Sequence, residues 1–484
     1  MQNLVGIKPE AVLHYFEEIC AIPHGSYHID EISNYLVDFA KTYGLRYVQD
    51  DYKNVVIYKA ATPGYEKEPT IIIQGHMDMV AVHNDSSIDM NTTAISIKRE
   101  GTFLYAKDSS LGADDGIAIA YALAVLSSKE YHHPALEIVI TTNEEVGMDG
   151  AMGLDEGLLS GTRVLNIDSE EEGVFTVGCA GGVRVEATLP LHSVKHKGNP
   201  FRIEISGLQG GHSGTMIHLH RANACCLLGR FLKRLFRITA FQIVTIGGGV
   251  KCNAIPDCAR ADILLTDNDL NQFMETCEQL EKEFQNEYSN SDPQLSIKVT
   301  NEAPDEIECF SKEDTEKTIA LLCNEPDGVI AMSQKVQGLV ETSLNLGILE
   351  QKEKQLHTCY ELRSCVRNSI SQLRDRVIKI AEEIGATTTQ SAAYPEWKYR
   401  EDSPLLQKMR KVYRNMYNKE PEVTIVHAGL ECGVLAEKMR DFDGVSFGPD
   451  IFDIHTTKEH LDLVSVERVW NLLLEILATK DEQI

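Results

Sequence analysis

Basic residues are scarce in this chain. Its 484 residues carry 46 Lys and Arg against 73 Asp and Glu, a formal net charge of −27. Nucleic-acid recognition needs a basic footprint, so that class of partner is disfavoured. An anionic membrane surface also repels a chain of this sign. The acidic excess serves solubility. No Cys-x-x-Cys pair occurs among the twelve cysteines, which argues against a thiolate zinc site. They are read instead as mostly buried, small apolar residues of a reduced, cytosolic chain. Long hydrophobic runs are lacking too. The longest, 116–126, is too short to span a bilayer and follows two Asp. The opening MQNLVGIKPEAV has no charged stretch leading into a long apolar one. No secretory signal is therefore expected, and the expected location is cytoplasmic. There is no Gly-x-x-x-x-Gly-Lys-Ser/Thr phosphate loop. The one Gly-x-Ser-x-Gly, at 444–448, runs into Pro449-Asp450-Ile451, where a nucleophile elbow needs a helix. No internal repeat or low-complexity tract is visible.

What is present suits a globular enzyme. Hydrophobic content of 43% and charged content of 25% are ordinary, and the length predicts two or three domains. Pro9 opens an expected helix that buries Val12, Tyr15, Phe16 and Ile19. A second runs over 30–43 with Ile32, Leu36, Phe39 and Ala40 inward. Strands are expected at 54–58, 70–74, 136–142 and 163–167, with a buried helix at 116–127. Strands separated by helices predict an α/β fold, a mostly parallel central sheet flanked by helices. The texture changes near Gly181-Gly182. Strand-like runs at 202–206, 242–246 and 261–265 then mix with a helix at 222–235 and long polar helices at 267–288 and 312–323. This reads as an inserted α+β domain. The expected division is 1–182, 183–393 and 394–484. The last part holds a helix near 404–416, strands near 422–426 and 444–447, and a terminal helix presenting Val466, Val469, Trp470, Leu473 and Leu477.

Acidic and imidazole residues recur where strands end or helices begin: His76 in QGHMDMV, Asp114 in LGADDGIA, Glu144-Glu145 in TTNEEVG, Asp168 in LNIDSEEEG and His455 in IFDIHTTKEH. Open α/β sheets gather their sites beyond the carboxyl ends of strands. Taken singly, each has an unremarkable reading: a structural His, an N-cap pair held ionised by a helix dipole, a solvated acidic turn. Taken together they suit two divalent metals and a general base. Asp78, two residues after His76, is placed to orient that imidazole. Adjacent Glu144 and Glu145 repel one another, and a metal on one leaves the other as a base. Mixed imidazole and carboxylate donors favour Zn2+, Co2+ or Mn2+ over Ca2+ or Mg2+. Gly211-His212-Ser213-Gly214 and Asn253 lie in glycine-rich contexts that allow close approach of a ligand. There His212 or Asn253 would meet a carbonyl oxygen as charge develops, or the segment is a tight turn before a helix.

The set QGHMDMV, GADDGIA, TTNEEVGMDGA, NIDSEEEG, GGHSG, NAIP and HAGLECG, in this order along nearly the whole chain, resembles the two-zinc metallopeptidase family that includes aminoacylases, carboxypeptidase G and several bacterial dipeptidases. The resemblance is closest to the cytosolic aminoacyl-histidine (Xaa-His) dipeptidase branch. It implies one zinc on His76, Asp114 and Asp168, and a second on Asp114, Glu145 and His455. It implies Glu144 as the base that takes a proton from a water between the metals and passes it to the leaving amine. Asp78 would orient His76, and His212 would stabilise the oxyanion. Asn253 and Arg367 would hold the substrate, with Arg363 as the alternative to Arg367. The implied substrates are unblocked dipeptides, including carnosine-like Xaa-His. The implied insert is a lid or dimerisation domain, closing over the site, and the implied assembly is a homodimer. The competing activity is deacylation of N-acyl amino acids.

Overall fold

The structure is a computed structural model describing residues 4, 6–266, 270–301, 305–324 and 326–481. Two compact units emerge. One comprises Met1–Gly178, Trp397–Ile425 and Leu430–Ile484; the other comprises Cys179–Glu396 and the short return Val426–Gly429. Among the described residues no helix is long and apolar enough to cross a membrane.

The first unit is built on an eight-stranded sheet. Its centre is four parallel strands in the order Leu136–Thr141, Ile71–His76, Arg163–Asn166, Asp443–Ser446. Antiparallel strands flank them: Arg46–Gln49 and Val55–Lys59 on one side, Val174–Cys179 on the other. Ile71–His76 and Leu136–Thr141 are buried along their whole length. That is why they read as continuous apolar runs rather than alternating ones. The helix Ala113–Ser127 is buried from Ala113 to Leu126, consistent with its lack of a polar face. Helix Glu10–Cys20 buries Val12, Tyr15, Phe16 and Ile19 as its spacing predicts, although Pro9 is its extended N-cap rather than its first residue. The terminal helix Leu463–Ala478 buries Val466, Val469, Trp470, Leu473 and Leu477. Its Val466 carbonyl accepts from the Tyr121 hydroxyl at 2.9 Å.

The second unit contains a repeat of topology that the sequence did not show. Its first module is strand Ser193–Ser206, helix Ala224–Phe236, strands Phe241–Gly248 and Ala259–Leu265, helix Leu270–Glu287 and strand Ser296–Asn301. The second module begins with Gly181–Pro190 and resumes after the first with helix Lys312–Cys323, strands Val340–Lys352 and Gln355–Ser364, helix Arg367–Ile384 and strand Thr387–Tyr394. Each is β-α-β-β-α-β, with strands in the spatial order second, third, first, fourth. The two second strands pair antiparallel, Gly247 with Glu350 and Gly248 with Leu349, joining the modules into one sheet. The start expected for one helix, at 267, lies outside the described residues.

The expectation of an entirely reduced chain is corrected at one pair. Cys252 and Cys359 form a disulfide with Cα atoms 5.7 Å apart. Gly347 lies at the irregularity between Leu346 and Ile348, and Ile348 pairs with Cys359. A Cβ on Gly347 would meet the Cys252 carbonyl oxygen at 2.2 Å. Its absence lets the Cys252 backbone come against the strand. Cys20, Cys179, Cys225, Cys277, Cys309 and Cys432 are buried thiols, while Cys258 is exposed.

Candidate metal centre

Register explains how scattered residues converge. In the first unit His76 ends its strand opposite Thr141, and Gln74 lies opposite Asn166. Glu144 follows Thr141 by three residues and Asp168 follows Asn166 by two. All three therefore leave the sheet at the same carboxyl edge. Asp114 arrives at the start of the buried helix, and His455 arrives from a loop with a left-handed backbone (φ 61°).

The ligand atoms of His76, Asp114 and Asp168 lie within 4.8 Å of one another, and so do those of Asp114, Glu145 and His455; His76, Glu144 and Glu145 form a third such group. His76 Nε2 is 3.2 Å from Asp114 Oδ1 and 3.6 Å from Asp168 Oδ1. His455 Nε2 is 3.2 Å from Asp114 Oδ2 and 2.9 Å from Glu145 Oε1. Asp114 thus turns one oxygen to each imidazole. His76 Nδ1 donates to the Asp78 backbone carbonyl at 2.9 Å, with the Asp78 carboxylate at 3.6 Å. That carboxylate accepts from Ser26 Oγ (2.8 Å) and from the N–H groups of Glu144 (2.9 Å) and Glu145 (3.4 Å).

The charge balance fits a pair of divalent cations. Burial would lower the His76 pKa, but the carboxylates of Asp114, Asp168 and Asp78 outweigh it and raise it well above the usual value. His455 is pushed up to about 11, since Asp114 and Glu145 again outweigh burial. Burial pushes Glu144 well above its usual range; His76 pulls it back, while Asp168, Glu145 and Glu431 add to the rise. Burial also raises Asp168 and Glu145. For Asp114, burial is overcome by hydrogen bonds from His455 and His76, which hold it below its usual value. A crowd of buried carboxylates that keeps two imidazoles protonated is the signature of a site short of positive charge. His76, Asp114 and Asp168, with Asp114, Glu145 and His455, would supply it with metal ligands.

Of three buried carboxylates beside this cluster, Glu431 and Glu459 escaped the sequence reading and Asp115 was read only as half of an N-cap pair. Asp115 accepts from the His76 backbone N–H at 3.1 Å. Glu431 accepts from Gln74 Nε2 and Thr141 Oγ1, while Asn166 Nδ2 donates to Gln74 Oε1. This chain links the three strands that deliver His76, Glu144 and Asp168. Glu459 accepts from the backbone N–H groups of 111–114. The helix-start reading of Asp114-Asp115 is corrected accordingly. Both residues have non-helical backbone angles, Gly112 is the left-handed N-cap, and Glu459 rather than Asp114 takes the free N–H groups. The alternation of carboxylates with strand ends pointed to the candidate ligands; only the tertiary fold brings Glu431 and Glu459 beside them.

The second unit holds the other predicted residues. Gly211-His212 pairs with Ala254-Ile255, and Ser213 N–H donates to the Asn253 carbonyl at 2.9 Å. The two motifs are therefore neighbours. His212 Nδ1 faces the N–H groups of Gly214 and Thr215, at 3.3 and 3.1 Å. It accepts there, which puts the proton of the neutral ring on Nε2. Arg367 opens helix Arg367–Ile384, is largely exposed and pairs with Glu396 at 3.2 Å. Arg363, at the end of strand Gln355–Ser364, is buried. It donates to the Tyr394 hydroxyl and pairs with Glu361 at 3.4 Å, but its Nε has no partner among the described residues. The sequence reading also missed His427. Its Nε2 lies 2.7 Å from Ser343 Oγ, and burial lowers its pKa to about 3.

Residues 72–479 match the model of peptidase family M20/M25/M40, and the chain belongs to that family. It is a hydrolase of the metallopeptidase class. It is 34% identical over 484 residues to the cytosol non-specific dipeptidase of Escherichia coli (strain K12), covering 99% of each chain. The crystal structure of aminoacylhistidine dipeptidase from Vibrio alginolyticus superposes with a TM-score of 0.88 at 34% identity, covering 98% of each chain. Aminopeptidase PepT from Bacillus cereus shares the fold, with a TM-score of 0.55, 14% identity and 98% of each chain covered.

Proposed function

We propose that this chain is a dinuclear zinc dipeptidase acting on unblocked dipeptides, with Xaa-His substrates of the carnosine type among them. The observation that carries this reading is Asp114, one oxygen toward the His76 and Asp168 group and the other toward His455 and Glu145. His76, Asp114 and Asp168 hold one zinc; Asp114, Glu145 and His455 hold the other. Bound zinc supplies Lewis acidity, making water more acidic and the scissile carbonyl more electrophilic. Co2+ or Mn2+ would serve in the same donor set.

The chain's own groups do the rest. Glu144 is buried beside these ligands with a raised pKa, which suits a carboxylate that takes a proton from attacking water and delivers it to the leaving amine. Asp78 accepts the Glu144 and Glu145 N–H groups, so it places the base as well as His76. His212, with Nε2 as its proton-bearing nitrogen, donates to the carbonyl oxygen as negative charge develops there. Asn253 helps hold the substrate. An arginine meets the substrate carboxylate: Arg363, with its buried unpartnered Nε, has a better claim than the exposed Arg367. The relatives named above support the choice of dipeptides over N-acyl amino acids, and the name of the Escherichia coli relative supports a cytoplasmic location.

The test is hydrolysis of Ala-His, β-Ala-His, Gly-Gly and N-acetyl-His by zinc-reconstituted protein, with a chelator control. Cleavage of the free dipeptides alone, abolished by chelation, is expected. Cleavage of N-acetyl-His alone would make the chain a deacylase.

A further inference from the structure

We propose that Glu459 is a positioning residue: its carboxylate locks the two loops that carry Asp114 and His455 into one body, and so sets the affinity of the metal position those residues share with Glu145. This rests on the dinuclear reading above. Glu459 is 3% exposed. Its Oε2 accepts from Leu111 N–H at 2.7 Å and Gly112 N–H at 3.0 Å; its Oε1 accepts from Ala113 N–H at 2.8 Å and Asp114 N–H at 3.3 Å. Four consecutive backbone donors converge because Gly112 turns the chain through a left-handed conformation (φ 67°). A carboxylate with this many N–H partners is held far more firmly than one with a single partner.

The same side chain stands four residues after His455. The Glu459 N–H closes a turn onto the Thr456 carbonyl at 3.2 Å, so movement of Glu459 moves the His455 loop. A second consequence falls on Asp114. Glu459 fixes the Asp114 backbone through its N–H, and the two Asp114 oxygens are turned to the imidazoles of His76 and His455, each at 3.2 Å. Without Glu459 the 111–114 turn that carries Asp114 would lose its four hydrogen bonds to one carboxylate, and the His455 loop would lose its anchor.

The experiment is calorimetric titration of the metal-free full chain with zinc, comparing wild type with Glu459→Gln. Glutamine keeps the size, but its amide nitrogen cannot accept, so two of the four N–H groups lose their partner. Outer-shell partners of metal ligands typically govern about 10–100-fold in affinity. The expected result is two zinc ions on wild type and, on Glu459→Gln, one ion weakened by about that factor, the other changed less. Activity of the variant should recover as free zinc is raised, which a general folding defect would not allow. Unchanged affinities at both positions would overturn the proposal, as would equal loss of both together with cooperative melting. If Glu459→Gln does not fold, Glu459→Asp becomes the readout. It keeps the charge with a shorter reach; selective weakening of one ion is expected, and wild-type affinity would again overturn the proposal. Wild type that binds no pair of zinc ions would defeat the dinuclear reading itself, a result distinct from failure confined to Glu459.

Discussion

Glu144 and Glu145 are adjacent in sequence and unlike in surroundings. Glu145 lies 2.9 Å from His455 Nε2, whereas for Glu144 burial outweighs the pull of His76, and its pKa stands well above the usual range. The proposed division of labour between ligand and base rests on this difference. Glu144→Gln should lower kcat by about 10²–10⁴-fold while metal content measured by atomic absorption stays at the wild-type level. Loss of metal would instead make Glu144 a ligand, as its grouping with His76 and Glu145 would allow. In the second unit, His212→Ala removes the proposed donor to the oxyanion. A fall in kcat of about 10²–10³-fold is expected, and an unchanged steady-state rate would remove His212 from the reaction.

At the scale of elements, the site depends on three parallel strands ending in register. Gln74, Asn166 and Thr141 lie two to three residues before His76, Asp168 and Glu144, and Glu431 ties Gln74 to Thr141 from the helix Glu431–Lys438. Glu431→Ala removes the shorter partner of a buried amide and a buried hydroxyl, leaving Gln74 Nε2 to Thr141 Oγ1 at 3.3 Å and Thr141 Oγ1 to the Gly75 carbonyl at 3.2 Å; each lost hydrogen bond costs about 0.5–1.5 kcal/mol. Urea unfolding should show a loss of that order, and no loss would mean that the strand ends hold register unaided. Elements with strong periodicity or β-branched runs were legible in the sequence. Helix Lys312–Cys323 and strand Glu422–Val426 fall where expected, and the buried strands at 71–76 and 136–141 differ only at their ends. Five residues of the candidate site were legible because acidic and imidazole residues cluster at strand ends, and the structure brings them together. The rest depended on contacts remote in sequence. Glu459 meets 111–114 across some 345 residues of chain, and Cys252 meets Cys359 across 107. The doubled β-α-β-β-α-β module was hidden because one copy is inserted after the first strand of the other, which breaks any fixed sequence period.

For the molecule as a whole, the buried charges make stability without metal depend on pH in a definite direction. Burial raises Glu431 to about 8. The neighbouring carboxylates raise His455 to about 11 and hold His76 well above its usual value, against the effect of burial. In each case the folded chain holds a proton that the unfolded chain has released, so folding stability must fall as pH rises. For Glu431 this window opens near the ordinary carboxylate value of about 4.5 and closes near 8. For His455 it runs from about 6.5 to about 11. Asp114 and Asp78 are shifted the opposite way and act only below the ordinary aspartate range. Chelated protein should therefore melt at progressively lower temperature from pH 5.5 to pH 9. Under the proposed reading zinc would reverse the trend, because it would bind the deprotonated ligands and release their protons. The rise in Tm on adding zinc should grow with pH over the same range in differential scanning calorimetry. The proton release should appear as a dependence of the titration heat on the ionisation enthalpy of the buffer. A zinc shift that is flat or shrinking toward pH 9 would mean that the buried carboxylates and imidazoles do not carry their protons in the metal-free fold, and with that the argument that the site is short of positive charge would fall.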